Sequence, residues 1–156
     1  MKPDIAFIPT PDDAIAGMIG LAALTPADVV YDLGCGDGRL LLAALQQCPC
    51  RGVGIDIDPQ QLQAARQRAA AAGVGHRLTW HHANLFESDL EEATVVFIYL
   101  LPHLNKRLLP RLRSHLSPGA RIVSHQFDMG ALWPPETTLK LPDSEEESTL
   151  YRWVIK

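Results

Sequence analysis

Short apolar runs alternate along this chain with stretches whose apolar residues recur every three to four positions. The runs Val29-Val30-Tyr31, Val53-Gly54-Ile55, Val95-Val96-Phe97-Ile98 and Ile122-Val123 have the length and β-branched content of buried strands. Strands are expected at about 28–32, 52–56, 77–82, 94–99 and 120–125, and the fourth, nearly all apolar, belongs in the middle of a sheet. Between them the spacing turns helical. Thr10-Pro11-Asp12-Asp13 reads as a helix start, with Thr10 as cap, Pro11 in the first helical position and Asp13 supporting the cap. Ile15, Met18, Ile19 and Ala22 then share one face, and Thr25-Pro26 ends the helix. A Leu/Ala-rich helix is expected over 39–47. Another follows from the cap Asp58 and Pro59 to about 72, with Gly73 as its stop. A further helix is expected at 104–116, which Pro110 either kinks or divides. The stretches 137–141 and 149–155 form a final hairpin around an acidic loop. Residues 1–9 show no periodicity and carry the stiff apolar stretch Phe7-Ile8-Pro9.

Strands alternating with helices require a parallel sheet, so the fold class is α/β. A chain of 156 residues suits one domain with a full core. Hydrophobic residues make up 47% and charged residues 21%, an ordinary globular composition. The net charge of −4 argues against nucleic acid as a partner bound over the whole surface. No apolar run is long enough for a membrane anchor, and the N-terminal residues lack the basic-then-apolar order of a signal peptide, so the expected location is cytoplasmic. The three cysteines, Cys35, Cys48 and Cys50, are read as reduced thiols, because Cys48-Pro49-Cys50 lacks the two-residue spacer of a redox or zinc pair. The six histidines show no ligand spacing, and no metal site is expected.

The chemistry concentrates where the first strand runs into Asp32-Leu33-Gly34-Cys35-Gly36-Asp37-Gly38. A strand, a glycine turn and a helix make a nucleotide-binding corner. A dinucleotide fingerprint would need a third glycine where Arg39 stands. The acid ahead of the glycines disfavours a phosphate and favours a cationic ligand, as S-adenosylmethionine (SAM) is. Asp56, at the end of the second strand, can accept both hydroxyls of a ribose. Asp58 is the better helix cap, which leaves Asp56 free for ligand. Asn84 follows the third strand and offers both a donor and an acceptor. Tyr99 ends the fourth strand, either as a wall of an acceptor pocket or as an aromatic with its hydroxyl in water. His125 ends the fifth and reads as a structural histidine. Lys106, Arg107, Arg111 and Arg113 make a basic helix face, read as solvated.

The segment 32–39 resembles motif I of the class I SAM-dependent methyltransferases. With Phe7-Ile8-Pro9-Thr10, Gly54-Ile55-Asp56, Tyr99-Leu100-Leu101-Pro102 and the stretch 118–125, it resembles one branch. That branch holds the archaeal broad-specificity protein lysine methyltransferases and the mitochondrial enzymes acting on the ATP synthase c-subunit. The resemblance implies a Rossmann-like three-layer sandwich whose seven-stranded, mostly parallel sheet has an antiparallel last strand. It implies one methyltransferase domain over 1–156, with residues 1–26 as an arm and helix covering the cofactor. The cofactor set it implies is Thr10, Asp32, Gly34, Cys35, Gly36, Gly38, Asp56, Ile57, Asn84 and Leu85. Tyr99 and Leu100, with Phe7, would line the acceptor pocket. The implied reaction is methyl transfer from SAM to a lysine ε-amine of a protein substrate, with S-adenosylhomocysteine as product. A small-molecule or RNA methyltransferase, or a non-catalytic SAM-binding module, stands as the alternative.

Overall fold

The structure, a computed structural model, describes residues 10–144 and 147–156. The expected cofactor arm at 1–9, Phe7 included, lies outside the described residues. Seven strands form one sheet: β1 (Val29–Leu33), β2 (Arg51–Asp56), β3 (Leu78–His82), β4 (Val95–Ile98), β5 (Arg121–His125), β6 (Thr137–Lys140) and β7 (Thr149–Val154). Their order is β3-β2-β1-β4-β5-β7-β6. The first five run parallel, and β7 pairs antiparallel with both β5 and β6. The seven-stranded sheet and its antiparallel ending match the expectation, and β4 stands at the centre.

Alternation along the strands splits the core in two. Val30, Val95, Phe97 and Val123 point toward α1 (Asp12–Ala22), α2 (Arg39–Gln47) and α3 (Pro59–Ala71). Tyr31, Leu33, Val96, Ile98 and Ile122 point the other way, onto Leu104, Leu108 and Leu112 of α4 (Pro102–His115). Three layers result. Helix α4 is one continuous helix, so Pro110 does not divide it. The proline ring faces solvent, where its missing N–H leaves no buried carbonyl unpaired.

Asp58 caps α3 as expected, accepting from the N–H of Gln60 at 2.9 Å. The expected Thr10 cap does not form. Pro11 occupies the N-cap in an extended conformation with no side-chain cap bond, and Asp13 accepts from its own neighbour Ala14. Helix α1 also stops earlier than Thr25-Pro26, at Ala23, which adopts a left-handed φ of 51°. The reason lies far along the chain. Arg121, at the start of β5, donates to the carbonyls of Ala22 and Ala23 and takes up the helix's last acceptors. Arg121 also grips Asp28 with Nη1 and Nη2 at 3.0 and 2.8 Å, while Thr94 and the Thr25 N–H donate to the same carboxylate. This clasp fixes α1 antiparallel to β5, which brings the beginning of α1, and with it Thr10, to the carboxyl edge of the sheet.

Candidate active site

Parallel pairing lines up the carboxyl ends of β1, β2, β3 and β4: Leu33 lies opposite both Ile55 and Ile98, and Asp56 opposite His82. The residues that follow each strand therefore meet along one edge. Gly34, Gly36 and Gly38 carry the chain out of β1 with φ of 82°, 54° and 81°, values that side chains resist. A Cβ on Gly34 would stand 4.0 Å from the side chains of both Leu85 and Leu100, so those two leucines floor the space above the turn.

The turn spends its own donors inward. Gly34 and Cys35 both donate to the Ile55 carbonyl, Gly36 to Asp56 Oδ2 and Gly38 to the Cys35 carbonyl. A phosphate nest needs such N–H groups turned outward; here they stitch β1 to β2. The side of Gly38 where a Cβ would stand is filled by Trp80, 2.8 Å away. The same ring approaches Gly54, where a Cβ would lie 2.5 Å from it. Both glycines thus admit an indole from β3 beneath the turn. Trp80 escaped the sequence reading because its partners lie 26 and more residues away. Cys35 points its buried sulfur toward Gly54, and burial, with Asp32 and Asp56 nearby, pushes its thiol far up.

Asp32 is the exceptional group. It is 6% exposed and accepts no hydrogen bond among the described residues. Burial, reinforced by the charges of Asp56 and Asp37, pushes its carboxyl up to about 8. Asp37, equally buried, is held below the usual carboxylate range: burial opposes this, but the hydrogen bonds from Arg39 win. The unpaired Asp32 fits a ligand that brings its own positive charge, such as an ammonium.

Asp56 is not left free, as the sequence suggested. Gly36 N–H holds its Oδ2 and Asp58 N–H its Oδ1, at 2.8 and 2.9 Å. Each oxygen keeps further lone-pair capacity, so the bonds orient the carboxylate without exhausting it. Ile57, next along, lends its carbonyl to the His82 ring at 3.0 Å. Asn84 uses its oxygen on the Phe86 N–H, at 2.9 Å, and its amide nitrogen donates to nothing among the described residues.

Tyr99 and Leu100 follow β4, Leu100 buried and Tyr99 half-buried. Tyr99 lies with its ring centroid 4.1 Å from that of His125 and 6.3 Å from that of Phe127. His125 is fully buried. Its Nε2 meets the Ser148 hydroxyl at 2.8 Å, but Nδ1 has no partner among the described residues, so the histidine is only half satisfied there. Burial drives its ring down to about 4, with Asp13 pulling weakly the other way. The basic face of α4 is not simply solvated either. Arg107 lies 4.0 Å over Phe86, Arg111 donates to the Ser88 carbonyl and Arg113 lies 4.8 Å over Trp133. Among the described residues no three His, Cys, Asp or Glu side chains gather as a metal would require, and no helix is long and apolar enough to cross a membrane.

The strand order, the phosphate-averse turn and the unpaired acid define a class I SAM-dependent methyltransferase. The chain belongs to the ANTKMT methyltransferase domain family, whose model matches residues 32–137. It is 36% identical over 154 residues to a protein-lysine N-methyltransferase of Saccharolobus islandicus, covering 98% of this chain and 95% of that one. It is 33% identical over 122 residues to the adenine nucleotide translocase lysine N-methyltransferase of Mus musculus, covering 78% of this chain and 52% of that one. Among solved structures, one titled as an RNA methyltransferase from Salinibacter ruber in complex with S-adenosyl-L-homocysteine superimposes with a TM-score of 0.90. It shares 47% identity, with 95% of this chain and 94% of that chain covered.

Proposed function

We propose that this methyltransferase transfers its methyl group to the ε-amine of lysine in a protein. The observation that carries this reading is the end-to-end match to a protein-lysine N-methyltransferase. The chain acts as one domain, with residues 1–26 over the cofactor. Asp32 receives the cofactor's ammonium, Asp56 its ribose hydroxyls, and the Asn84 amide the adenine edge between Ile57 and Leu85. Gly34, Cys35, Gly36 and Gly38 form the bed of the turn, and Thr10 contacts the methionine end. When bound, SAM supplies a methyl group that an amine lone pair takes, the S–C bond electrons returning to sulfur to leave S-adenosylhomocysteine. The protein's task is alignment and desolvation. A lysine amine has an ordinary pKa of about 10.4 and attacks only when neutral. Tyr99 and Leu100 offer it an apolar corner, and desolvation there lowers the amine's pKa. His125, kept neutral by burial, adds no repelling charge.

The RNA acceptor named for the Salinibacter protein is the second reading. Against it stands the α4 face, where three of the four cationic side chains lie on the protein's own groups. The test is label transfer from tritiated SAM into a cell extract before and after acetylation of lysines. Protein labelling that disappears on acetylation is expected. Label that persists, or that enters RNA alone, overturns the lysine assignment.

A further inference from the structure

Three irregularities converge at the end of β5. Gln126 has a φ of 73°, in the left-handed region, although it is not glycine. His125 Nδ1 and Asn105 Oδ1 are both buried without a partner among the described residues, on side chains that are fully buried. Strained backbone and unsatisfied buried groups persist where the surroundings force them, and they gather at functional sites.

Here the forcing groups can be named. The Phe127 N–H reaches back to the His125 carbonyl at 2.9 Å, closing the chain tightly around Gln126. Ser124 Oγ donates to the Phe127 carbonyl at 2.6 Å. Asn105 Nδ2, from α4, donates to the carbonyls of Phe127 and Asp128 at 3.2 and 3.1 Å. On the far side Gln126 exchanges two bonds with Thr149, one through its backbone N–H and one through Oε1. So many tethers on one strained turn fix a single outcome: the half-exposed Phe127 ring lies nearly parallel to Tyr99, at 24° between planes. His125 closes the inner side against Tyr99, its ring tilted by 59°.

We infer that the turn 125–128 is the acceptor-side wall of the active site. Phe127 is a specificity-determining residue whose ring, with that of Tyr99, receives the alkyl stem and amine of the acceptor. Asn105 is the positioning residue behind it. The inference rests on the lysine reading above. Aromatic faces suit that acceptor, because they pack along a methylene stem and attract a cationic head before it loses its proton. A flat base could stack on the same rings, so the lysine reading and the acetylation arm of the test decide between the two.

The experiment measures initial methyl transfer against rising concentrations of extract protein, with SAM affinity followed separately by calorimetry. Phe127→Ala should raise the half-saturating extract concentration at least tenfold and leave SAM affinity within twofold. Phe127→Tyr should restore most of the loss. Asn105→Ala should shift half-saturation in the same direction; because it also weakens the fold, the Phe127 pair carries the decision. Lysine-dependent labelling that is indifferent to Phe127→Ala overturns the wall alone. A matching loss of SAM affinity also overturns it, by placing Phe127 in the cofactor cleft. Wild-type label that survives acetylation overturns the lysine reading and the alkyl-amine assignment with it.

Discussion

Asp28, just before β1, and Asp32, near its end, are both almost inaccessible to solvent, yet Asp32 lies much the deeper and their surroundings drive them in opposite directions. Burial raises both. At Asp28 the hydrogen bonds from Arg121, Thr25 and Thr94 more than offset it, and the carboxyl falls to about 2. At Asp32 no donor among the described residues offsets it, and the neighbouring acids push the carboxyl on to about 8. The amino end of the sheet is thus electrostatically complete, and the acid at the carboxyl end has no countercharge among the described residues. Burial alone does not tell a structural acid from a ligand-binding one; the census of donors around it does.

Breaking the complete end should have the largest effect. Arg121→Ala strands the Asp28 carboxylate and frees the α1 carbonyls, with an expected loss of about 3 kcal/mol in chemical denaturation. SAM affinity at low temperature should fall only as far as the Thr10 contact contributes, since the clasp holds α1 and not the glycine turn. A stability loss well under 1 kcal/mol would show that the clasp does not hold the amino end.

Neutralising the incomplete end should do the reverse. Asp32→Asn should weaken SAM binding by roughly 2–3 kcal/mol, the scale of a charged hydrogen-bond partner, without lowering the melting temperature. The pH dependence sharpens the contrast. Asp28, depressed in the folded state, contributes stability above about pH 4 that is lost as the pH falls toward 2. Asp32, raised in the folded state, favours the cofactor-free fold below about pH 4 and loses that advantage as the pH rises toward 8. SAM requires the carboxylate, so its affinity should climb between pH 6 and 8, and Asp32→Asn should flatten the climb. A wild-type affinity that is flat over that range would show that Asp32 does not meet the ammonium.

The smallest effect is expected at Thr10. Its hydroxyl caps nothing among the described residues, so Thr10→Val should change stability by less than about 0.5 kcal/mol, where loss of a true cap would take about 1 kcal/mol. Weaker SAM binding in the same variant would assign Thr10 to the cofactor end.

Most of the frame was legible because it is local. The apolar runs, the Asp58-Pro59 cap and the closing hairpin are each written within a few residues. The glycine turn was legible for the same reason. What escaped the sequence depends on partners far along the chain. Asp56 is held from Gly36, 20 residues earlier. The end of α1 is set by Arg121, about a hundred residues later. Phe127 and Asn105 carry no motif. Only the crossing of α4 beside the end of β5 brings them together.

The position of β7 has a consequence for the order in which the enzyme becomes whole. Ribosomes deliver β7 after every other strand, yet it sits inside the sheet, between β5 and β6. A nascent chain that has emerged only through β6 holds five parallel strands with β5 as a bare edge. Ser148 and Thr149, which steady His125 and Gln126, arrive with β7 itself. The proposed acceptor corner is therefore completed only when residues 23 positions apart have both been made. A polypeptide stalled before residue 148 can already close its glycine turn but lacks the bonds that hold His125 and Gln126.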